Sequence, residues 1–549
     1  MKRDSARLVL NFIRSNAGLF IATCFVGIIS SFLNVLLPLS VGKFFEILYQ
    51  EQSTKGKLID MLALRIQDVQ GFFIFFFSLV ILRGLFGFFQ NYLTAFAGDR
   101  FIANIRMELF KAQLTMNLRH FEKRHISRHL QKYTGDMRFI QRWITKGIIG
   151  GPVDVFFLSF SFFALYQINK PVTVGLILAI IVAGLIMYFV SSLIGQSTVD
   201  RSNERGRLME FIAERLQAIQ SIKYFNREFV ELDRFEVLNK NFVASGKNNY
   251  RRQAFLESLL PVIFFMIISV VMWLSVKYNG TSSPSDALTF ILVLLYLQSP
   301  FRRILRVPAI WRQAKVAFES LNRQLNKSRE RRANKASIDD AYGLIRFQDL
   351  TIESSQHILK SDFSTIVHPN TCAFFEIENP EIRRGLLRIL GGVDSARSGN
   401  VFIDSSSIKD YNPFQIRKAF TFVSKNLPLV GENVFEAVSF YTTEEKRAKA
   451  NKILDGLRFH EHFVNDRLAI QLKGDRPKLS ETDVMKLSFA RAILTSKKTI
   501  ILDNPFEGLE ESGIIAICEV LNKLKSKRTI ILMASNCPNV LHVDKKVTV

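Results

Sequence analysis

Apolar residues in this chain are gathered into six long runs with few charges, all before residue 306, covering approximately 17–46, 70–96, 148–167, 171–195, 256–278 and 286–304. A helix of about 20 apolar residues spans the hydrocarbon core of a bilayer, so each run predicts one membrane crossing. Several runs exceed that length, which predicts tilt or helices that continue into water. After Arg302 an amphipathic stretch to about Leu325 leads into the polar linker KSRERRANKAS at 327–337. From Tyr342 the pattern changes to short runs rich in β-branched and aromatic residues, among them 345–350, 371–377, 400–404, 419–424, 499–503 and 529–535. These alternate with helical periodicity, and strands that alternate with helices predict a largely parallel sheet. The expected fold is an all-α membrane domain of six helices with long extensions (1–325), a linker (326–342) and a C-terminal α/β domain (343–549).

Charge sharpens this picture. Lys and Arg number 73 against 49 Asp and Glu, a formal net charge of +24. The basic residues concentrate between runs two and three, from Arg100 to Lys146, and between runs four and five, from Arg201 to Arg252. The connections at 47–69, 168–170 and 279–285 carry far fewer. By the positive-inside rule both termini are expected in the cytoplasm, and the setting is expected to be a bacterial inner membrane. Because the charge sits beside membrane runs rather than on one soluble face, the lipid bilayer and not nucleic acid is the expected partner. A content of 48% hydrophobic residues, including 50 Phe, argues against both a disordered basic chain and an ordinary soluble enzyme. Four cysteines without a CxxC pair argue against a disulfide scaffold or a zinc ribbon and point to a reducing compartment. The basic N-terminus runs into apolar sequence without a small-residue cleavage site, so no removable signal peptide is expected.

Two charges fall inside the runs. Arg83 and Asp154 each lie 13 residues from the outer ends near 70 and 167, about 20 Å deep at 1.5 Å per residue. An intramembrane charge needs a partner or a watery cavity, so the matched depth predicts an Arg83–Asp154 ion pair. His125 and His129 have a spacing that can chelate metal, but no third ligand is near in sequence. They are expected to be solvated or to face lipid headgroups, and no metal is expected. The Phe-rich string at 72–77 is expected to face lipid or pack between helices.

The order of six runs then an α/β domain resembles the exporter class of ABC transporters in half-transporter form, over essentially the whole chain. Residues 118–140 and 214–228 look like the family's two cytoplasmic loops, and QSPFRRI at 298–304 like the end of its sixth span. LLRIL at 386–390, GNVFID at 399–404, FARAIL at 489–494 and the 499–503 strand with DNPFEGLE match the α/β domain's anchors in order and spacing. The resemblance implies a P-loop-type ATPase fold and pairing of two chains, as a homodimer by preference or with a competent half-transporter as partner.

The residues that carry ATP chemistry in that family are replaced here. The phosphate loop aligns to IENPEIRRG, Ile377 to Gly385, with Arg383 at the lysine position, Arg384 at the Ser/Thr position, and Pro380 and Ile382 at two glycine positions. Glu376, Glu378 and Glu381 add negative charge nearby. A phosphate loop needs free backbone N–H groups, a lysine and a hydroxyl for Mg²⁺. The adenine-stacking position aligns to Ser354 and the glutamine-loop position to Lys425. The signature reads LSETD, keeping Ser480 but placing Glu481 and Asp483 where phosphate would lie. The strand at 499–503 keeps Asp503, while the general-base position is Asn504 and the switch-histidine position Ser535. An amide cannot accept the water proton. The resemblance therefore implies an exporter-like protein without ATPase activity, acting as a conduit, scaffold or regulatory subunit, with no cofactor. The alternatives are the degenerate half of an ATP-driven heterodimer, for which ATP and magnesium would be cofactors, or an active exporter.

Overall fold

The computed structural model describes residues 10–49, 68–122, 126–168, 170–191, 194–278, 284–325, 342–354, 357–440, 445–459, 467–472 and 479–549. The chain divides into two compact units, the change falling at Lys327/Ser328.

The first unit is helical. Among the described residues, five helices are long and apolar enough to cross a membrane: Ala17–Phe44, Val69–Leu114, Ile126–Gln167, Lys170–Val190 and Glu228–Leu274. The sixth expected span, 286–304, lies on the helix Pro284–Leu325, where the side chains of 284–290 fall outside the described residues. The third span is interrupted by two π turns, Lys132–Asp136 and Ile144–Ile149, before continuing as Gly150–Ile168. Much of the apolar surface of these helices is exposed, including Phe73, Phe77, Ile81 and Phe88, as expected of helices solvated by acyl chains rather than water. The Phe-rich string does both jobs foreseen for it: Phe72 is buried against Phe44 at 5.3 Å, while Phe73 and Phe77 face outward.

His129 departs from expectation. It is 4% exposed, stacked on Phe121 at a ring distance of 4.4 Å, with its Nδ1 3.0 Å from the Gln324 amide nitrogen. Helical spacing fixed which residues share its face, but the facing helix Pro284–Leu325, which carries Gln324, lies 195 positions away in sequence. Its partner His125 falls outside the described residues.

The second unit holds two sheets. An antiparallel sheet has the order β2-β1-β4-β5, formed by β1 (Ile345–Ser354), β2 (His357–Val367), β4 (Ser398–Ile403) and β5 (Ser406–Ser407). A parallel sheet has the order β6-β7-β8-β3-β9, formed by β3 (Cys372–Glu376), β6 (Phe420–Ser424), β7 (Thr499–Asp503), β8 (Thr529–Ala534) and β9 (Lys545–Thr548). Every residue of β7 and β8 is buried, which is why these strands read as continuous apolar runs rather than alternating ones. Helices Pro380–Leu390, Glu481–Leu494 and Glu511–Leu524 cover the sheets with Leu386, Leu390, Phe489, Ile517 and Leu521. All four cysteines are free thiols, and burial pushes those of Cys372 and Cys518 up to about 12.

The entry to the edge strand β9, which pairs in parallel with β3, is fixed by a carboxylate. Asp544 accepts the Cys372 backbone N–H at 2.8 Å and pairs with Lys525 at 3.0 Å. The backbone hydrogen bond, then Lys525, holds its pKa below the usual carboxylate value. A depressed pKa in the folded state gives stability that is present at neutral pH and lost as pH falls through the folded value. Acidification below about pH 4 should therefore lower the melting temperature of the wild type more steeply than that of Asp544→Asn. Parallel curves for the two proteins would remove Asp544 from this role.

Candidate nucleotide site and the membrane charge pair

Strand β3 ends at Glu376, and the Ile377 N–H extends its pairing to the Ala534 carbonyl at 2.9 Å. The chain then turns at Asn379 and enters the helix Pro380–Leu390. Asn379 is the N-cap: its side-chain oxygen accepts from Glu381 N–H at 2.9 Å, and its carbonyl accepts from Arg383 N–H at 3.3 Å. Pro380 sits at the first helical position, where its missing N–H costs nothing to the helix. The Asn-Pro step was available in the sequence as a helix-start signal. Of the N–H groups that make a helix N-terminus an anion site, it engages that of Glu381 and deletes that of residue 380.

Arg383 points inward. Its guanidinium donates to the carbonyls of Ile377 at 2.7 Å and Glu378 at 3.2 Å, and its Nε lies 3.6 Å from Asp503 Oδ1. Both side chains are about one-tenth exposed. Asp503 also accepts from Ser424 Oγ at 2.8 Å. Arg383, Asp503 and Ser424 thus form a closed cluster in which the carboxylate and both loop carbonyls meet donors from the protein itself. Ser424 was not foreseen. It lies one residue before Lys425 at the end of β6, whose pairing with β7 sets Ser424 beside Asp503. Arg384, one position on, is exposed and turned away from this cluster.

Lys425, Ser480 and Asn504 are likewise engaged. Lys425 pairs with Glu481 at 2.7 Å, and that bond, together with the charges of Glu481 and Glu507, raises the lysine's pKa. Ser480 caps the helix Glu481–Leu494, accepting from Asp483 N–H at 3.0 Å and donating to the Asp483 carboxylate at 2.7 Å. Asn504 adopts a left-handed backbone with φ 45°, and its amide donates to the Glu507 carboxylate. Ser535 follows β8 at a half-buried bend. The side chain of Ser354 falls outside the described residues. Glu376 lends no charge to the loop, because Lys546 at 2.8 Å and Thr548 bind it at the β9 edge and hold its pKa low.

In the first unit the expected Arg83–Asp154 pair does not form. Asp154, 7% exposed at its side chain, is bound by Arg303: Nε reaches both carboxylate oxygens at 3.0 Å and Nη2 reaches Oδ1 at 2.5 Å. Arg303 also donates to Ser299 Oγ at 2.9 Å. Arg83 instead donates to Asn34 Oδ1 at 2.9 Å. The reason is the neighbour, not the depth. Helix Ala17–Tyr49 packs against both spans: Leu33 and Leu37 cluster with Leu79, while Val35 and Leu39 cluster with Phe157. Ser31 Oγ donates to the Val153 carbonyl at 3.2 Å. Gly27 permits this close approach, since a Cβ there would lie 2.4 Å from Val153.

Comparison with known proteins accords with both units. Residues 20–301 match the family described as "ABC transporter transmembrane region", and residues 385–507 match "ABC transporter". This chain belongs to the ABC transporters. Its two-part organisation is that of a half-transporter of the exporter type, an integral membrane protein, and such half-transporters function as dimers. The chain is 20% identical over 483 residues to an ATP-dependent lipid A-core flippase of Haemophilus influenzae, covering 85% of this chain and 81% of the relative. It is 21% identical over 491 residues to the flippase of the same description from Methylococcus capsulatus, covering 85% and 79%. Among solved structures it is similar in fold to a bacterial Atm1-family ABC exporter with ATP bound, with a TM-score of 0.82 and 14% identity, covering 98% of this chain and 93% of that one.

Proposed function

We propose that this exporter-type half-transporter does not load ATP in its own phosphate loop and serves as a passive conduit, scaffold or regulatory subunit in the inner membrane, as a homodimer by preference, with both termini cytoplasmic. The observation that carries the proposal is the Arg383 cluster. The guanidinium's Nη1 is spent on the Ile377 and Glu378 carbonyls and its Nε faces Asp503 at 3.6 Å, so the cation and the carboxylate that would serve phosphate and Mg²⁺ are turned toward the protein itself. Asn379 and Pro380 remove helix-start donors, and Asn504 supplies an amide where hydrolysis needs a base. Purified protein at millimolar ATP and Mg²⁺ should show neither saturable nucleotide binding nor phosphate release. Micromolar binding with turnover, abolished by Arg383→Ala, would overturn the proposal.

A second reading makes the chain the degenerate half of a heterodimer with a competent partner, binding ATP and magnesium. Its support is that the relatives above are named ATP-dependent and that Asp503 and Ser480 are retained. In such a pair one chain's signature would close the partner's nucleotide site, and here Glu481 and Asp483 carry like charge toward phosphate. Mass measurement in a mild lipid environment separates the readings: two copies of this chain favour the first, and co-purification with a second half-transporter favours the other.

A further inference from the structure

Near the Asp154–Arg303 pair, the first unit carries a cleft of about 220 Å³ whose polar lining includes Arg142, Lys146, Gln253, Glu257, Arg303 and Arg306. Its apolar floor is Leu256, Ala309 and Ile310. The cations are not balanced by the acids. Arg303 is committed to Asp154, and Arg306 lies 3.8 Å from Glu257. Arg142 and Lys146 have no acidic partner among the described residues, so the cleft and its surroundings hold two positive charges in excess. The Nε of Arg306 is buried without a hydrogen-bond partner.

The site is also shaped. Arg142 lies in the last turn of the helix Met137–Trp143, and Lys146 sits four residues on, inside the π turn Ile144–Ile149. Between them Trp143 packs on Trp311 with ring centroids 4.7 Å apart, and the indole N–H of Trp143 is buried without a partner. Tryptophans beside basic side chains mark the boundary between acyl chains and water, and basic pockets between membrane helices hold anionic head groups.

We propose that this cleft binds the phosphate head group of an anionic membrane lipid. A phosphomonoester carries about −1.5 to −2 charge at pH 7, which matches the two-charge excess. The floor of Leu256, Ala309 and Ile310 offers contact to the glycerol and first methylenes, which free phosphate lacks. The inference concerns the membrane unit alone and holds whether or not the second unit turns over ATP.

The test uses the full chain in phosphatidylcholine nanodiscs. Bound ligand is counted by native mass spectrometry, and tryptophan fluorescence serves as a second readout, since Trp143 and Trp311 are chain neighbours of the lining residues Arg142 and Ile310. The probes are dihexanoyl phosphatidic acid, dihexanoyl phosphatidylcholine and inorganic phosphate. Phosphatidic acid should bind saturably, and Arg142→Gln with Lys146→Gln should weaken it about 30-fold, the loss expected of two basic contacts at a membrane surface. The charge-preserving pair Arg142→Lys with Lys146→Arg should bind as the wild type does, which guards against a folding artefact. Phosphatidylcholine binding as well as phosphatidic acid, no phosphatidic acid bound, or full binding by the double Gln variant would each overturn the proposal. Inorganic phosphate binding as tightly as phosphatidic acid would keep the anion site and overturn its assignment to a lipid.

Discussion

Arg303→Gln should destabilise the membrane unit by about 3 to 5 kcal/mol, and Asp154→Asn by only about 1 kcal/mol. The asymmetry comes from exposure. Asp154 is 7% exposed at its side chain and Arg303 52%. Removing the arginine strands a carboxylate away from water, whereas removing the carboxylate leaves a guanidinium already half in solvent. The double change, Asp154→Asn with Arg303→Gln, should recover most of the larger loss because no uncompensated charge is left. Arg83→Gln, which removes a neutral contact to Asn34, should cost about 1 kcal/mol and be additive with Asp154→Asn. Unfolding of detergent-solubilised protein measures all five variants, the Arg83→Gln/Asp154→Asn double included. An Arg83→Gln loss that vanishes in the Asp154→Asn background would instead couple those two residues and return the pairing to the one expected from depth.

Arg383→Ala should cost the second unit about 3 kcal/mol, while Arg384→Ala should stay within about 0.5 kcal/mol. Arg383 is a strut: its loss leaves two loop carbonyls without their donor and Asp503 with only Ser424. Arg384 is exposed and carries no such duty. Arg383→Lys should recover part of the loss, because one ammonium cannot span Ile377, Glu378 and Asp503 as a planar guanidinium does. Thermal melting of the purified chain tests the series. If Arg383→Ala melts with the wild type, the cluster is not structural, and the proposal of an unloaded phosphate loop loses its main support.

These two sites also show where sequence inference ran out. The alignment brought Arg383, Asp503, Lys425, Ser480, Asn504 and Ser535 into view because they sit beside apolar strings whose spacing is rigid. It could not say that Arg383 would turn back on its own loop, since an exposed and an inward-turned arginine read alike. Asn379 was missed, although an Asn-Pro step before an amphipathic run is a local helix-start signal. Ser424 was not legible, because its role exists only once β6 pairs with β7 and sets it beside Asp503.

The sequence by itself determined the division into a helical membrane part and an α/β part, the places of the apolar helices, four strands of the parallel sheet (β3, β6, β7 and β8) and the family, but it missed β9 and did not separate the runs at 345–350 and 400–404 into an antiparallel sheet. All that it determined depends on local periodicity, apolar run length and ordered motifs, which are properties of contiguous residues. Only the tertiary structure decided that Asp154 meets Arg303, that Arg83 meets Asn34 and that His129 is buried on Phe121 and Gln324. Residue number along a helix measures depth and, at 100° per residue, facing direction. It does not say which helix stands opposite, and for a buried charge that neighbour sets the partner.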